Sequence, residues 1–212
     1  ADAKVVSWAA QQLAKRHDQP VFLSVGIYRP HVPWYVPQKY FDRFPLDEIQ
    51  LPRHLPDDLD DLPAAGQAMA KRHWHKWITE NGQWNKAVQG YLASLSFADD
   101  MVGELLDALD NGPMAGDMLI VFWGDHGYHL GEKENWEKFA LWEDTTHVPL
   151  IIIDPRRTKP GTRCESPVSL LDLYPTLVEL CGLDPTPQTL EGRSLAKRLA
   201  EPNAKTRRVA VT

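Results

Sequence analysis

Three runs of strand length are apolar at nearly every position, and they limit the folds that this chain can adopt. They are residues 21–27 (VFLSVGI), 118–123 (MLIVFW) and 148–153 (VPLIII). A strand that is apolar on both faces has to be covered on both sides, which is typical of the parallel sheets of α/β proteins. Amphipathic helices are predicted before and after these runs, over residues 4–16, 85–110, 169–181 and 193–200. The sequence therefore predicts an α/β fold with a largely parallel sheet and helices on both of its faces.

Composition and charge exclude several classes of protein. The chain has 212 residues, of which 43% are hydrophobic, and this is enough for one globular domain with a full core. The formal net charge is -6 and no block of Lys or Arg is present, so neither a nucleic-acid surface nor a polybasic membrane patch is predicted. No apolar run approaches the roughly 20 residues of a membrane-spanning helix.

A proline-rich stretch follows the first apolar run. Between residues 28 and 84 the sequence has seven widely spaced prolines, at positions 30, 33, 37, 45, 52, 56 and 63. Proline can neither donate to a strand ladder nor continue a helix, so residues 28–84 are predicted to be an irregular loop excursion. Long loops of this kind in compact domains often carry binding or catalytic groups.

The second apolar run ends in Gly124-Asp125-His126-Gly127, which is an unusual end for a buried strand. Ligands of open α/β sheets collect at the carboxyl ends of strands. A carboxylate and an imidazole in one turn offer two metal ligands, and the glycines allow close approach of the backbone. A structural alternative stays open, in which Asp125 caps the next segment and His126 is solvated.

The first apolar run ends in Tyr28-Arg29-Pro30-His31, and a second basic residue of interest, Lys138, lies in the phrase ENWEKF. His31 is followed closely by another proline, which restricts its backbone and suits a positioned acid or base. A hydrogen bond from His31 to a loop carbonyl is an equal alternative, and Lys138 is otherwise an ordinary surface lysine. A metal, Lys138, His31 and Arg29 together would form a site for sulfate or phosphate esters.

Four long phrases of the sequence resemble the sulfatase family of the alkaline phosphatase superfamily, and within it the iduronate-2-sulfatase-like enzymes. They are VFLSVGIYRPHVPWYVPQKYFDRFPLDEIQLP, GYLASLSFADDMVGELLDALD, VFWGDHGYHLGEKENWEKFALWEDTTHVPLIII and SLLDLYPTLVELCGL. The phrases occur in the order of the family and span nearly the whole chain. The resemblance implies the alkaline phosphatase/sulfatase-like α/β fold.

The resemblance also implies roles for individual residues. Asp125 and His126 would bind a divalent ion, usually calcium. Lys138 would contact the sulfate, and His31 would also reach the sulfate and protonate the leaving oxygen. The substrate pocket would further include Arg29, Tyr128 and His129.

Two features of the family have no counterpart in residues 1–212. The family nucleophile is a formylglycine made from the motif C/S-x-P/A-x-R, and Cys164 and Cys181 both lack the arginine of that motif. The Asp-Asp pair that completes the family's metal site is also missing. We therefore expect residues 1–212 to be the C-terminal-side portion of one sulfatase-like catalytic domain, inactive without an upstream segment that carries the nucleophile.

The function implied by the resemblance is metal-dependent hydrolysis of the sulfate ester of a small molecule or a saccharide. Two alternatives stay open: a phosphomonoester or phosphonate hydrolase of the same superfamily, and a non-catalytic module. The expected protein partner is an N-terminal half or a second copy of the chain. The sequence leaves the compartment open, and the resemblance implies a periplasmic, secreted or lysosomal protein.

Overall fold

The computed structural model describes residues 1–70, 72–204 and 209–210. They form two compact units, Ala1–Asp117 with Tyr128–Ala140, and Met118–Gly127 with Leu141–Thr212. The first unit contains five helices and a hairpin: α1 (Asp2–Leu13), α2 (Gln38–Phe41), α3 (Ala64–Met69), α4 (Arg72–Glu80), α5 (Trp84–Asp110), β2 (His129–Leu130) and β3 (Trp136–Glu137). The second unit contains β1 (Ile120–Trp123), α6 (Glu143–Thr146), β4 (Leu150–Ile153), α7 (Leu173–Cys181) and α8 (Ala196–Ala200). No helix within the described ranges has both the length and the apolar character needed to cross a bilayer.

The core of the first unit is the packing of α1 on α5. Val6, Ala9 and Leu13 are buried along one face of α1, at the three- and four-residue spacing of an amphipathic helix. From α5 the fully or nearly fully buried apolar side chains are Val88, Ala93, Met101 and Leu109. The long helix predicted over residues 85–110 is confirmed almost to the residue, because its apolar stripe continues over all 27 positions.

The strands pair in a different direction from the prediction. β1 and β4 form an antiparallel ladder in which Ile120 is opposite Ile153, and β2 and β3 form a second antiparallel ladder. Residues 21–27 are assigned to no strand of the structure as described. The largely parallel sheet is therefore not seen in the described part of the chain, although helices and strands are mixed as an α/β fold requires. An apolar run is typical of a parallel strand covered on both faces, but here the ladder is antiparallel and Trp123 and Ile151 are about half exposed.

The excursion at residues 28–84 is more ordered than its prolines predict, because it contains α2, α3 and α4. It is also tied to the turn between β2 and β3. The ammonium of Lys133 donates to the Asp58 carboxylate over 2.7 Å and to the Asp58 carbonyl over 2.8 Å. The Asp58 side chain is only 14% exposed, so this ion pair is largely shielded from water.

In the second unit, the Asp125-His126 turn is held against the segment around α6. The Gly127 N–H donates to the Thr145 carbonyl over 2.9 Å. A Cβ at position 127 would lie 1.9 Å from the Asp144 carbonyl oxygen, so only glycine fits there. In the same unit α7 ends at Cys181 and is followed by Gly182, whose φ of 63° gives the expected left-handed cap.

We predict that Asp58→Asn lowers the free energy of unfolding by about 2 kcal/mol at neutral pH, because it removes a charge-assisted bond in a poorly hydrated place. The hydrogen bond from Lys133 holds the pKa of the Asp58 carboxyl below its ordinary value of 3.8. The contribution of Asp58 is therefore complete above pH 3.8 and is lost as the pH falls through the lowered pKa. Urea unfolding of both proteins at pH 7 and at acidic pH measures the difference.

The matched control is Asp57→Asn, which removes an exposed carboxylate one position away. It should change the unfolding free energy little. Equal losses in the two variants at neutral pH would contradict a stabilising role for the Asp58–Lys133 pair.

Candidate functional site

Two residues predicted for catalysis are in direct contact in the first unit. The Nζ of Lys138 lies 3.2 Å from the Nε2 of His31, although 107 positions separate the two residues. Lysine has only donors, so the imidazole Nε2 accepts this bond. An ammonium group is thereby held beside a nitrogen that can exchange a proton.

Lys138 follows directly after the β2–β3 hairpin, and that hairpin is closely packed. Gly131 begins its turn with a φ of 123°, and a Cβ there would lie 2.4 Å from the Trp84 ring. The indole N–H of Trp84 donates to the Leu130 carbonyl over 2.7 Å. Glu137, the residue before Lys138, has a φ of 68°, which turns the chain out of β3.

A histidine outside the predicted site supports the same hairpin. His75 lies on α4 and is 8% exposed. Its Nδ1 accepts the indole N–H of Trp136 over 3.3 Å, two residues before Lys138. Burial, and secondarily the neighbouring His54, lowers the pKa of His75, so this imidazole is held neutral. The signal in the sequence was the position of His75 on the buried face of a short helix. That helix was missed because residues 28–84 were predicted to be an irregular loop.

Tyr128 belongs to an aromatic cluster of the first unit. Its ring stacks on Tyr91 with 5.2 Å between centroids, and Trp34 is 6.3 Å away. Burial, and then the nearby Glu137 carboxylate, raises the pKa of the Tyr128 phenol well above its ordinary value of 10.0. The hydroxyl is therefore neutral and available as a hydrogen-bond donor.

His129, the next residue, has no exposed surface. Its Nδ1 lies 3.8 Å from the carboxylate of Glu132, which also accepts the backbone N–H of Leu130 over 2.7 Å. Burial opposes ionisation of Glu132, but the neighbouring imidazole of His129 and hydrogen bonds from backbone N–H groups lower its pKa.

Hydrogen bonds from the backbone and from the side chain of Arg29 hold this residue in place. The Arg29 N–H donates to the buried carboxylate of Asp2 over 3.1 Å. One guanidinium nitrogen donates to the carbonyl of Tyr35, also over 3.1 Å. The charge is thus kept in the same turn as His31.

In the second unit Asp125 and His126 form a pair of adjacent ligand groups. The Nδ1 of His126 lies 2.8 Å from the Gly127 carbonyl, which can only accept, so Nδ1 carries the proton. The other nitrogen, Nε2, lies 3.4 Å from an Asp125 carboxylate oxygen. Two acceptors at this distance repel each other unless a cation or a proton lies between them.

This arrangement fits the implied metal in part. The Asp125 carboxylate and the Nε2 of His126 lie close enough together that both would be able to bind one ion. The backbone carbonyl that fixes the His126 tautomer is the usual outer partner of a metal-binding histidine. Within residues 1–70, 72–204 and 209–210 no group of three or more His, Cys, Asp or Glu side chains could hold an ion, so further ligands would have to come from elsewhere.

Comparison with known proteins identifies the family. The sequence model of the family described as Sulfatase matches residues 1–183. The chain is 43% identical to a sulfatase of Formosa agariphila over 201 residues, which cover 93% of the chain and 39% of that protein. It is 32% identical to human iduronate 2-sulfatase over 211 residues, which cover 82% of the chain and 38% of that enzyme. The chain thus spans about two fifths of the length of these relatives.

Solved structures show the same fold. The phosphonate monoester hydrolase SpPMH from Silicibacter pomeroyi aligns with a TM-score of 0.69 and 26% identity, over 84% of this chain and 37% of that one. BT4656, solved in complex with its substrate D-glucosamine-2-N,6-O-disulfate, aligns with a TM-score of 0.77 and 20% identity, over 95% of this chain and 52% of that one. The alkaline phosphatase/sulfatase-like fold class is confirmed by these likenesses. The chain belongs to the sulfatase family.

Proposed function

We propose that the protein hydrolyses sulfate esters with the help of a bound divalent cation, and that its substrate is a sulfated saccharide or a small sulfate ester. The observation that carries this proposal is the contact between Lys138 and His31. This contact places a positively charged group, which can bind an anion, beside a nitrogen that can exchange a proton. Both groups suit the hydrolysis of a sulfate ester, the reaction of the family to which the chain belongs.

Each group has a separate role in this proposal. Lys138 binds an oxygen of the sulfate and offsets its charge. When Lys138 donates to the sulfate instead of to His31, Nε2 of His31 takes up a proton from water, gives it to the oxygen of the departing alcohol and returns to its neutral form. Arg29 adds a positive charge in the same turn, and Tyr128 is a neutral donor toward the substrate.

We also propose that His129 contributes to substrate binding. Its ring is completely buried, and its Nδ1 faces Glu132. These observations favour a role of His129 in supporting β2. A direct contact between His129 and the substrate stays a prediction.

Asp125 and His126 are proposed to hold the cation, which by family resemblance is calcium. A cation held there would act as a Lewis acid toward a sulfate oxygen. The proposed nucleophile is a formylglycine outside residues 1–212, which would supply the attacking oxygen. Association with an N-terminal half or with a second copy of the chain also stays a prediction.

Phosphonate monoester hydrolysis is the second candidate, because SpPMH is 26% identical to this chain and shares its fold. We expect the full-length protein to hydrolyse a 4-nitrophenyl sulfate ester with a higher kcat/KM than the matched phosphonate monoester of the same phenol. The shared leaving group means that the two rates report only on the anion. A faster phosphonate reaction would support the second candidate, and no turnover of either ester by protein that contains formylglycine would support a non-catalytic module.

We predict that Asp125→Ala lowers the affinity for Ca²⁺ on the order of 10- to 100-fold, since it removes one of two adjacent ligands. Sulfate ester hydrolysis should fall with it. Metal content after dialysis against buffered Ca²⁺ measures the effect. The control is Glu143→Ala, because Glu143 and Asp125 have the same side-chain exposure of 82%. Metal stoichiometry equal to that of the unchanged protein would remove Asp125 from the site.

Lys138→Ala should leave the bound metal unchanged and weaken binding of the anion. We expect the inhibition constant of inorganic sulfate to rise on the order of tenfold, the effect of one lost charge-assisted hydrogen bond. The exposed lysine of α1, Lys4, provides the control in Lys4→Ala. If sulfate inhibits Lys138→Ala and the control equally well, Lys138 does not bind the anion.

A further inference from the structure

A tyrosine to which the sequence analysis gave no role contacts the proposed acid. The hydroxyl of Tyr28 lies 2.8 Å from the Nδ1 of His31 and 3.0 Å from the carbonyl oxygen of Val32. The Nδ1 of His31 lies 2.6 Å from the same carbonyl. The Tyr28 and His31 rings are also in contact, with 4.7 Å between centroids. The Val32 carbonyl, the Tyr28 hydroxyl and the Nδ1 of His31 thus all lie within hydrogen-bond distance of one another.

The chemistry of the three groups decides where the protons lie. The Val32 carbonyl can only accept, so a lone pair on Nδ1 at 2.6 Å from it would be repelled. Nδ1 therefore carries a proton and donates it toward the carbonyl. The Tyr28 hydroxyl donates to the second lone pair of the same oxygen, and its own lone pair faces Nδ1–H.

The opposite side of the imidazole leads to the same assignment. Lys138 approaches Nε2 at 3.2 Å and has only donors. A proton on Nε2 of the neutral ring would point at the ammonium, with no acceptor between them. Two independent sets of contacts thus require the neutral ring to have Nδ1 protonated and Nε2 free to accept.

We propose that Tyr28 is a positioning residue for His31: its hydroxyl, together with the Val32 carbonyl, fixes the Nδ1–H tautomer and reserves Nε2 for proton exchange. This inference rests on the proposed function. When Nε2 gains a proton the ring becomes an imidazolium, and when it gives that proton to the departing oxygen the ring returns to the same neutral tautomer. Without Tyr28 the ring loses one of its two polar anchors at Nδ1 and can turn or change tautomer.

Arg29 restrains Tyr28 in turn. The guanidinium carbon of Arg29 lies 5.2 Å from the centroid of the Tyr28 ring, within the range of a cation–π contact. Arg29 is itself fixed by Asp2 and by the Tyr35 carbonyl. The Tyr28 side chain, which is about half exposed, is therefore held by more than its hydroxyl.

The test is Tyr28→Phe, which keeps the ring and removes the hydroxyl. Nitrogen NMR of the ¹⁵N-histidine-labelled full-length protein reports the tautomer directly, with the His31 signals assigned by their loss in His31→Gln. We expect the unchanged protein to show protonated Nδ1 and bare Nε2, and Tyr28→Phe to show a mixture. In the hydrolysis assay Tyr28→Phe should lower kcat on the order of tenfold and leave KM unchanged.

Tyr35→Phe is the matched control, because Tyr35 lies in the same loop and its side chain is 80% exposed. It should change neither the tautomer nor kcat. A proton on Nε2 of neutral His31 in the unchanged protein would overturn the proposal, and so would an unaltered tautomer together with an unaltered kcat in Tyr28→Phe. The NMR result does not depend on turnover, so protein with the expected tautomers that hydrolyses no sulfate ester would contradict the proposed function and leave the positioning of His31 intact.

Discussion

Contacts between the loop excursion and residues 128–140 determine the arrangement of the first unit. The contacts join residues far apart in sequence: 107 positions separate His31 from Lys138, 75 separate Asp58 from Lys133, and 61 separate His75 from Trp136. Ordering such long loops costs conformational entropy, which the contacts have to offset. They do so with charge-assisted bonds and indole N–H bonds in places from which water is largely excluded. Lys138 is therefore held by the packing of the hairpin that precedes it, as well as by its own contact with His31.

Burial controls the ionisation of the groups around that hairpin. It raises the pKa values of Tyr91 and Tyr128 and lowers that of His75, so all three are neutral near pH 7. Of the lysines of this region, Lys133 is paired with the Asp58 carboxylate, and Lys138 donates to the imidazole of His31. A low local dielectric would strengthen the attraction between the Lys138 ammonium and an anion.

The sequence predicted the elements whose evidence is local. The apolar stripe of α5 continues without interruption, and Gly182 marks the end of α7, so both were predicted closely. The direction of the β1–β4 ladder was predicted wrongly, because continuous apolar runs are typical of parallel sheets, whereas these two strands pair antiparallel. The helices within residues 28–84 were hidden by prolines that lie mostly between them.

The chemistry of the site divides in the same way. The turn at Asp125 and His126 was visible because both residues follow one strand, and the family resemblance marked His31 and Lys138. The pairing of Lys133 with Asp58 and the contact of His75 with Trp136 were not predictable from the sequence, although helical spacing around His75 indicated a buried side chain. Both contacts join residues that are far apart in the sequence, and no local pattern predicts which residues a long loop brings together.

His31 and His126 share one kind of backbone contact, although the roles that we propose for them differ. In each, Nδ1 lies within hydrogen-bond distance of the carbonyl of the next residue, Val32 for His31 and Gly127 for His126. Since a carbonyl only accepts, the proton of the neutral ring lies on Nδ1 in both histidines, and Nε2 is left on the opposite side of the ring. What Nε2 meets then decides the chemistry: an ammonium at 3.2 Å beside His31, and a carboxylate at 3.4 Å beside His126. Beside an ammonium the nitrogen accepts a hydrogen bond, which suits the proposed proton exchange, whereas beside a carboxylate it would be one of the two proposed ligands of a cation.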